Sequence, residues 1–193
     1  MRRLLFLLPV LLFAADPLIV TKQAGNDNVE ISAKLILDPE ASRQELGASL
    51  PASYLLVRVE CSNKTGDPLR FSPADFVLIS RKDGERVDAL APGQVAGGTA
   101  LIVKRDTRAR EFGELQNKPG FSGVSGVSKE QSVDADLLTA LKAKQLPDMV
   151  VEQNSKNKAA GLVYFSMDTK KLKAKDLSLL YKGSGGRLTI DFK

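Results

Sequence analysis

The feature that most constrains the fold of this chain is an alternation of apolar and polar residues with a period of two. In residues 29–38 the apolar side chains occupy alternate positions from Val29 to Leu37, and Ile36 is the exception. Successive side chains of a strand point to opposite faces of a sheet. The pattern therefore predicts a β-strand with one face on a core and the other in water.

Similar short runs recur along the sequence, separated by turn residues. Asp83-Gly84 lies between two apolar runs, and Gly183-Ser184-Gly185-Gly186 lies between the last two. Such spacing predicts an all-β, antiparallel sandwich or barrel. The other predicted strands are 18–21, 54–61, 69–71, 76–80, 99–104, 149–151, 161–167, 176–182 and 187–192.

Residues 105–160 interrupt this rhythm. They contain a charged stretch, a Gly/Ser-rich loop at 119–128 and an apolar stripe with helical spacing at 134–144. Asp134 is the predicted N-cap of that helix, and Pro147 stops it. The apolar content of the segment is too low for a second core. We therefore predict a single domain over residues 16–193, with an insertion at about 105–160 that contains one short helix.

The N-terminus has the three parts of a secretory signal peptide. Arg2 and Arg3 precede the apolar run Leu4–Phe13, and Ala14-Ala15 follows it. The run is shorter than the ~20 residues that span a bilayer. We expect cleavage near Ala14 or Ala15, a periplasmic or secreted mature chain, and no transmembrane span in it. Loss of Arg2 and Arg3 lowers the net charge from +5 to +3.

The composition removes several classes of chemistry. The chain has no His, and its one Cys is Cys61. It therefore lacks the commonest general base and metal ligand, a disulfide and a multi-thiolate zinc site. We predict no catalytic residues, no cofactor and no metal, and we expect Cys61 to be buried as a small hydrophobe.

Several local patterns are read as ordinary structure. Ser155–Lys158 has S-x-x-K spacing but lies in a polar turn, and the Gly-rich segments 120–126 and 183–186 match no phosphate-binding motif. Asn26–Asn28 predicts an Asx turn, and the sequon Asn63–Thr65 a turn after a strand. The carboxylate pairs are read as a helix start, a solvated loop and a strand end: Asp134/Asp136, Glu111/Glu114 and Asp38/Glu40. A hydrolase that uses such carboxylates without His remains an alternative.

Two basic clusters form a candidate surface for anionic ligands such as a polysaccharide or a lipid headgroup. Few aromatic residues accompany them, which disfavours binding of single-stranded nucleic acid, and we predict no nucleic-acid partner. The clusters are Lys104, Arg105, Arg108 and Arg110, and Lys170, Lys171, Lys173 and Lys175.

Residues 54–92 and 161–192 also carry a family resemblance. The motifs are V-x-V-x-x-x-N at 57–63, F-S-P-x-D-F at 71–76 and G-x-x-x-F at 161–165. In these ranges the chain resembles a widespread bacterial group of exported immunoglobulin-like domains of unknown function. The resemblance implies an antiparallel immunoglobulin-like β-sandwich, and no particular activity.

Together these observations favour a non-enzymatic interaction module with a protein partner in the cell envelope or outside the cell. Its surface loops and sheet edges are the expected contact regions, because a rigid sandwich presents loops at its ends and a free edge can accept a strand.

Overall fold

The computed structural model describes residues 18–97, 134–153, 158–167 and 172–193. Within these ranges there are three short helices, α1 (Pro39–Leu46), α2 (Pro92–Val95) and α3 (Ala135–Lys144). The strands are β1 (Ile19–Gly25), β2 (Val29–Ile36), β3 (Tyr54–Asn63), β4 (Leu69–Phe71), β5 (Phe76–Ser80), β6 (Arg86–Asp88), β7 (Met149–Val151), β8 (Ala159–Ser166), β9 (Leu177–Gly183) and β10 (Gly186–Asp191).

The strands form two four-stranded antiparallel sheets and a small ribbon. The first sheet has the order β1-β2-β3-β8, the second has the order β10-β9-β5-β6, and β4 pairs with β7. The prediction of a mainly β, antiparallel fold is confirmed. The immunoglobulin-like topology and the single-domain boundary stay predictions.

One hydrophobic core lies between the two sheets. Alternate residues of β2 and β3 enter it from the first sheet, and Leu179, Tyr181 and Ile190 enter it from the second. The rings of Phe71 and Phe76 lie 5.9 Å and 5.4 Å from that of Tyr181, distances typical of favourable aromatic pairs. Cys61 lies in this core with no exposed surface, as predicted.

A second cluster lies on the opposite, outer face of the first sheet. There Ile36, Leu56 and Tyr164 of neighbouring strands pack against buried side chains of all three helices. The outer face is therefore partly covered by helices, where the alternation predicted contact with water. This explains why Ile36 breaks the alternation. The helix predicted in the insertion forms as α3, whereas α1 and α2 were not predicted.

Local signals at both ends explain why α1 forms. The backbone N–H of Ala41 donates to the Asp38 side chain over 3.2 Å, Pro39 occupies the first turn, and Gly47 ends the helix with φ of 81°. Asp38 is thus an N-cap, and its reading as a strand end is wrong. The helix has only eight residues and no continuous apolar stripe, so periodicity alone did not reveal it.

Helix α3 forms where it was predicted and is fastened to the first sheet. Asp134 accepts a hydrogen bond from the backbone N–H of Leu137 over 2.9 Å, which confirms the predicted N-cap. The buried hydroxyl of Tyr164 donates to the carbonyl of Leu141 over 2.8 Å. No helix in the described ranges is long and apolar enough to cross a bilayer.

The chain after α3 continues along the edge of β8. The backbone N–H of Leu146 donates to the carbonyl of Leu162 over 2.9 Å, and the Leu146 side chain enters the core. A Cβ at Gly161 would lie 2.4 Å from the Cα of Leu146. Glycine at 161 therefore allows this close approach.

Candidate functional site

A groove lies over the outer face of the first sheet. It has a volume of about 620 Å³ and is lined by residues of β3 and β8, by Glu45 of α1, by Pro73 and by residues 142–148, which are the end of α3 and the segment after it. A second depression of about 260 Å³ shares Glu45 and Arg58 with it and adds Thr21, Ser32, Lys34 and Glu60. We call the two together the outer groove.

Three charged side chains form the centre of the outer groove. Lys34 on β2 and Arg58 on β3 are opposite each other across the strand pair, where two cations repel. Glu45 on α1 reaches both: its Oε2 accepts from Lys34 Nζ over 3.2 Å, and its Oε1 forms an ion pair with Arg58 Nη1. The carboxylate therefore neutralises the repulsion and holds both cations in place.

The pKa of Glu45 reflects two opposing effects. Partial burial raises the pKa, while the hydrogen bonds and charges of Arg58 and Lys34 lower it, and the net pKa lies below the ordinary value of 4.5. Glu45 is thus a carboxylate at neutral pH. Its side chain is 17% exposed, while that of Arg58 is 46% exposed. Arg58 is therefore both fixed by Glu45 and accessible from the groove.

A third ion pair lies at one wall of the outer groove. Arg70 on β4 binds both carboxylate oxygens of Asp148, with 2.7 Å between its Nε and Oδ1. This two-point contact lowers the pKa of Asp148. It also connects the segment after α3 to the β4–β7 ribbon, which fixes the position of this wall of the outer groove.

A third carboxyl near this wall behaves differently. Burial raises the pKa of Asp75, although its Oδ2 accepts the backbone N–H of Ser72 over 2.9 Å. That hydrogen bond is half of a capping box around Pro73–Asp75. Asp75 therefore has a structural role, and it is not among the residues that line the outer groove.

The basic residues predicted from the sequence lie elsewhere. Lys104, Arg105, Arg108, Arg110, Lys170 and Lys171 are outside the described residues. Lys173 precedes the short 3-10 helix Ala174–Asp176, which contains Lys175. Lys175 lines a separate cleft of about 430 Å³ beside β1, together with Lys22 and Lys193.

The other local patterns match their structural readings where they are described. Asn26 Oδ1 accepts the backbone N–H groups of Asn28 and Val29, both over 2.8 Å, which is an Asx turn. Asn63 donates to the carbonyls of Asp67 and Val151 over 2.7 Å and 2.8 Å, so this amide is buried and engaged. Residues 99–104, 120–126, Glu111/Glu114 and 154–157 are outside the described ranges.

Sequence reasoning missed most of the outer groove. The alternation in β3 placed Arg58 and Glu60 on the outer face, which is correct. The alternation did not predict a contact between Glu45 and Arg58, because no helix or strand was predicted for residues 39–53. The Asp38-Pro39 pair followed by Gly47 was the available signal for that helix.

Other reactive groups in the described part of the chain offer little chemistry. Burial raises the pKa of the Cys61 thiol to about 12, so it stays protonated and weakly nucleophilic. Within the described ranges, no group of three or more His, Cys, Asp or Glu side chains is arranged to hold a metal ion.

Comparisons with known proteins give no family. No protein-family model matches the chain, and no curated protein matches it significantly. Among solved structures, the chain resembles a "putative lipoprotein" of Bacillus subtilis at 11% identity and a TM-score of 0.43, over 89% of this chain and 38% of that one. It also resembles a functionally unknown protein of Listeria monocytogenes at 12% identity and a TM-score of 0.38, over 92% of this chain and 86% of that one.

Proposed function

We propose that this protein is an exported, non-enzymatic binding module that holds a protein partner in the outer groove. The observation that carries the proposal is the state of Arg58. Its guanidinium is accessible and is already positioned by Glu45, so a partner's carboxylate or carbonyl oxygens would meet donors that need little further ordering.

The pKa shifts support binding over proton-transfer catalysis at this site. Two carboxylates that act as acid and base need pKa values pushed apart. In the outer groove the pKa values of Glu45 and Asp148 are both lowered by cationic partners. Asp75, whose pKa is raised, is engaged in a capping box beside the groove.

The charge distribution of the outer groove favours a protein as the partner. Its lining includes cations at Lys142 and Lys144 and carboxylates at Asp148 and Glu60. Mixed charges suit the complementary potentials of a protein surface, whereas an anionic polymer calls for a uniformly basic one. An envelope or extracellular protein fits the leader at residues 1–15, which supports export to the periplasm or beyond.

The test is a comparison of captured proteins. The mature chain, residues 16–193, is immobilised and exposed to envelope extract of the organism that encodes it, beside the variants Arg58→Ala and Arg86→Ala. Arg86 lies exposed on β6, in the other sheet, and serves as the matched control. We expect one or more proteins bound by the wild type and by Arg86→Ala but lost from Arg58→Ala.

Two outcomes would overturn this proposal. Capture of the same proteins by all three baits would show that the outer groove is not the binding surface. Failure to capture any protein, together with turnover of a carbohydrate or peptide substrate by the wild type, would favour the carboxylate hydrolase. An unfolding midpoint measured for each bait excludes loss of folding as the cause.

A further inference from the structure

The free edge of the first sheet is at β1, on the flank away from β8. A cleft of about 430 Å³ runs along the start of this strand, between it and the chain that follows β10. At the far end of β1, Asn26 Nδ2 donates to the carbonyl of Gly185 over 3.2 Å and holds the strand against the β9–β10 turn. This contact lies at the end of β1 that is away from the cleft.

The backbone of β1 has unused hydrogen-bonding groups along this cleft. The N–H of Leu37 donates to the carbonyl of Leu18 over 2.8 Å, and the N–H of Asn26 donates to that of Val29 over 2.9 Å. In an antiparallel pair such bonds recur at every second residue, so even-numbered residues of β1 bond to β2. The N–H and C=O groups of Ile19 and Thr21 point away from β2, and none of the described strand pairings uses them.

The opposite edge of the same sheet is protected. Along β8, the backbone of Leu90 donates to the carbonyl of Tyr164 over 2.8 Å, and Leu146 bonds to Leu162. Proteins normally cover or charge a long edge strand in this way, because a bare one pairs with other chains. On β1, β10 of the other sheet lies close by, but no described backbone hydrogen bond reaches the outward groups at its start, where Leu18 and Ile19 are 54% and 43% exposed.

The side chains around the cleft define the chemistry of an occupant. Lys22 and Lys193 give the cleft positive charge, and Lys175, which also lines it, already has interactions within the protein. Ile19, which is 43% exposed, supplies apolar surface beside these lysines, whereas Phe192 is almost fully buried in the core. Alternating acidic and apolar side chains on an extended segment would complement this arrangement, since successive side chains of a strand face opposite ways.

We propose that an extended acidic segment of a partner protein adds to β1 as a further strand, pairing with the backbone of Ile19 and Thr21. Thr21 borders both this site and the outer groove, whereas Ile19, Lys22 and Lys193 line only the cleft at the sheet edge. The inference therefore goes beyond the proposed function and does not depend on it. Main-chain hydrogen bonds supply the affinity in such strand addition, and side-chain contacts supply the selectivity.

The probe is the peptide acetyl-Glu-Val-Glu-Val-Glu-Val-amide with a fluorescent label, titrated with the mature chain by anisotropy at low salt. The variant Thr21→Pro removes one outward N–H at an edge position where proline is tolerated, and Thr21→Val keeps that N–H as the matched control. We expect Thr21→Pro to bind about tenfold more weakly and Thr21→Val to bind like the wild type. We expect Lys22→Gln to weaken binding of the peptide about threefold at low salt, and by a smaller factor at high salt.

A backbone-methylated form of the same peptide provides an independent test that does not depend on a variant's folding. Methyl groups on every amide nitrogen remove the N–H donors from both edges of the peptide, so this peptide should not bind. The inference is overturned if the methylated peptide or a Lys-Val analogue binds as well as the probe, or if the probe does not bind at millimolar concentration. Binding of heparin but not of the probe would indicate a site for an anionic polysaccharide. Concentration-dependent dimerisation that Thr21→Pro abolishes would indicate that a second copy of the chain occupies the edge. Either result would also overturn the inference.

Discussion

Glu45 lies against two cations that would repel each other on a bare strand surface, and this contact organises the outer groove. Lys34 and Arg58 could be placed on the outer face from the alternation of β2 and β3 alone. Their partner could not be predicted, because Glu45 reaches them from α1, across 11 and 13 residues of sequence. The alternation predicts on which face of the sheet each strand residue lies, but it does not predict which helix packs over that face.

The first prediction concerns the pH dependence that Glu45 confers. Its pKa is lowered in the folded protein, so the carboxylate stabilises the fold above the unfolded-state pKa of 4.5, and that stabilisation is lost as pH falls through the folded-state pKa. We expect Glu45→Gln to lower the free energy of unfolding by about 1 kcal/mol at pH 7, since the ion pairs are partly exposed. The difference from the wild type should shrink below pH 4.5. Urea unfolding of both proteins at several pH values measures this.

The control for this measurement is Glu85→Gln. Glu85 is exposed in the β5–β6 turn, and its side chain has no ion pair among those recorded for the described residues. Its substitution should leave the free energy of unfolding nearly unchanged at every pH. A Glu45 effect that grew as the pH fell would mean that the carboxylate is not held by cations.

At the scale of elements, strands were easier to predict than helices. Strands β4, β5 and β7 have the predicted bounds, because turn residues flank each apolar run. Strand β1 continues to Gly25, beyond the predicted end at residue 21, because it pairs with β2 along its full length. Helix α1 was missed because cap residues and burial on the sheet stabilise it, whereas its own apolar pattern is weak.

The second prediction tests the contact between β8 and the segment that follows α3. Ala at 161 would bring a Cβ against the backbone of Leu146, so the segment must move and lose its hydrogen bond to Leu162. We expect Gly161→Ala to lower the free energy of unfolding by about 1–3 kcal/mol. Chemical denaturation of the purified variant gives this value.

Gly93→Ala is the matched control for that substitution. Gly93 lies in α2, and a Cβ there would meet nothing within 4 Å. Ala favours helix over Gly by up to about 1 kcal/mol, so this variant should be as stable as the wild type or slightly more so. Equal effects of the two substitutions would contradict the close packing at Gly161.

At the scale of the whole molecule, the first sheet is covered on both faces and the charged groove lies where the helical cover ends. The mainly β class followed from alternation, whereas the helical cover could not be predicted from it. A strand's outer residues look the same in sequence whether water or a short helix lies over them. In the structure, the buried outer face of the first sheet includes Leu56, Leu162 and Tyr164.

The third prediction concerns export. When the full sequence is expressed in a bacterial host, we expect the chain in the periplasmic fraction with a new N-terminus after Ala14 or Ala15. Intact-mass measurement of that fraction identifies the cleavage site. Leu8→Arg interrupts the apolar run and should keep the leader attached and the chain in the cytosol. Cytosolic wild-type protein with an intact leader would contradict export.

The central claim is that the outer groove binds a partner through a pre-positioned Arg58. Its most direct test is the affinity of the captured partner for the wild type, Arg58→Ala and Arg86→Ala, measured by calorimetry at one salt concentration. We expect at least about a tenfold loss of affinity for Arg58→Ala, the size typical of an arginine that a partner buries on binding, and no change for Arg86→Ala. Equal affinities for all three proteins would contradict it.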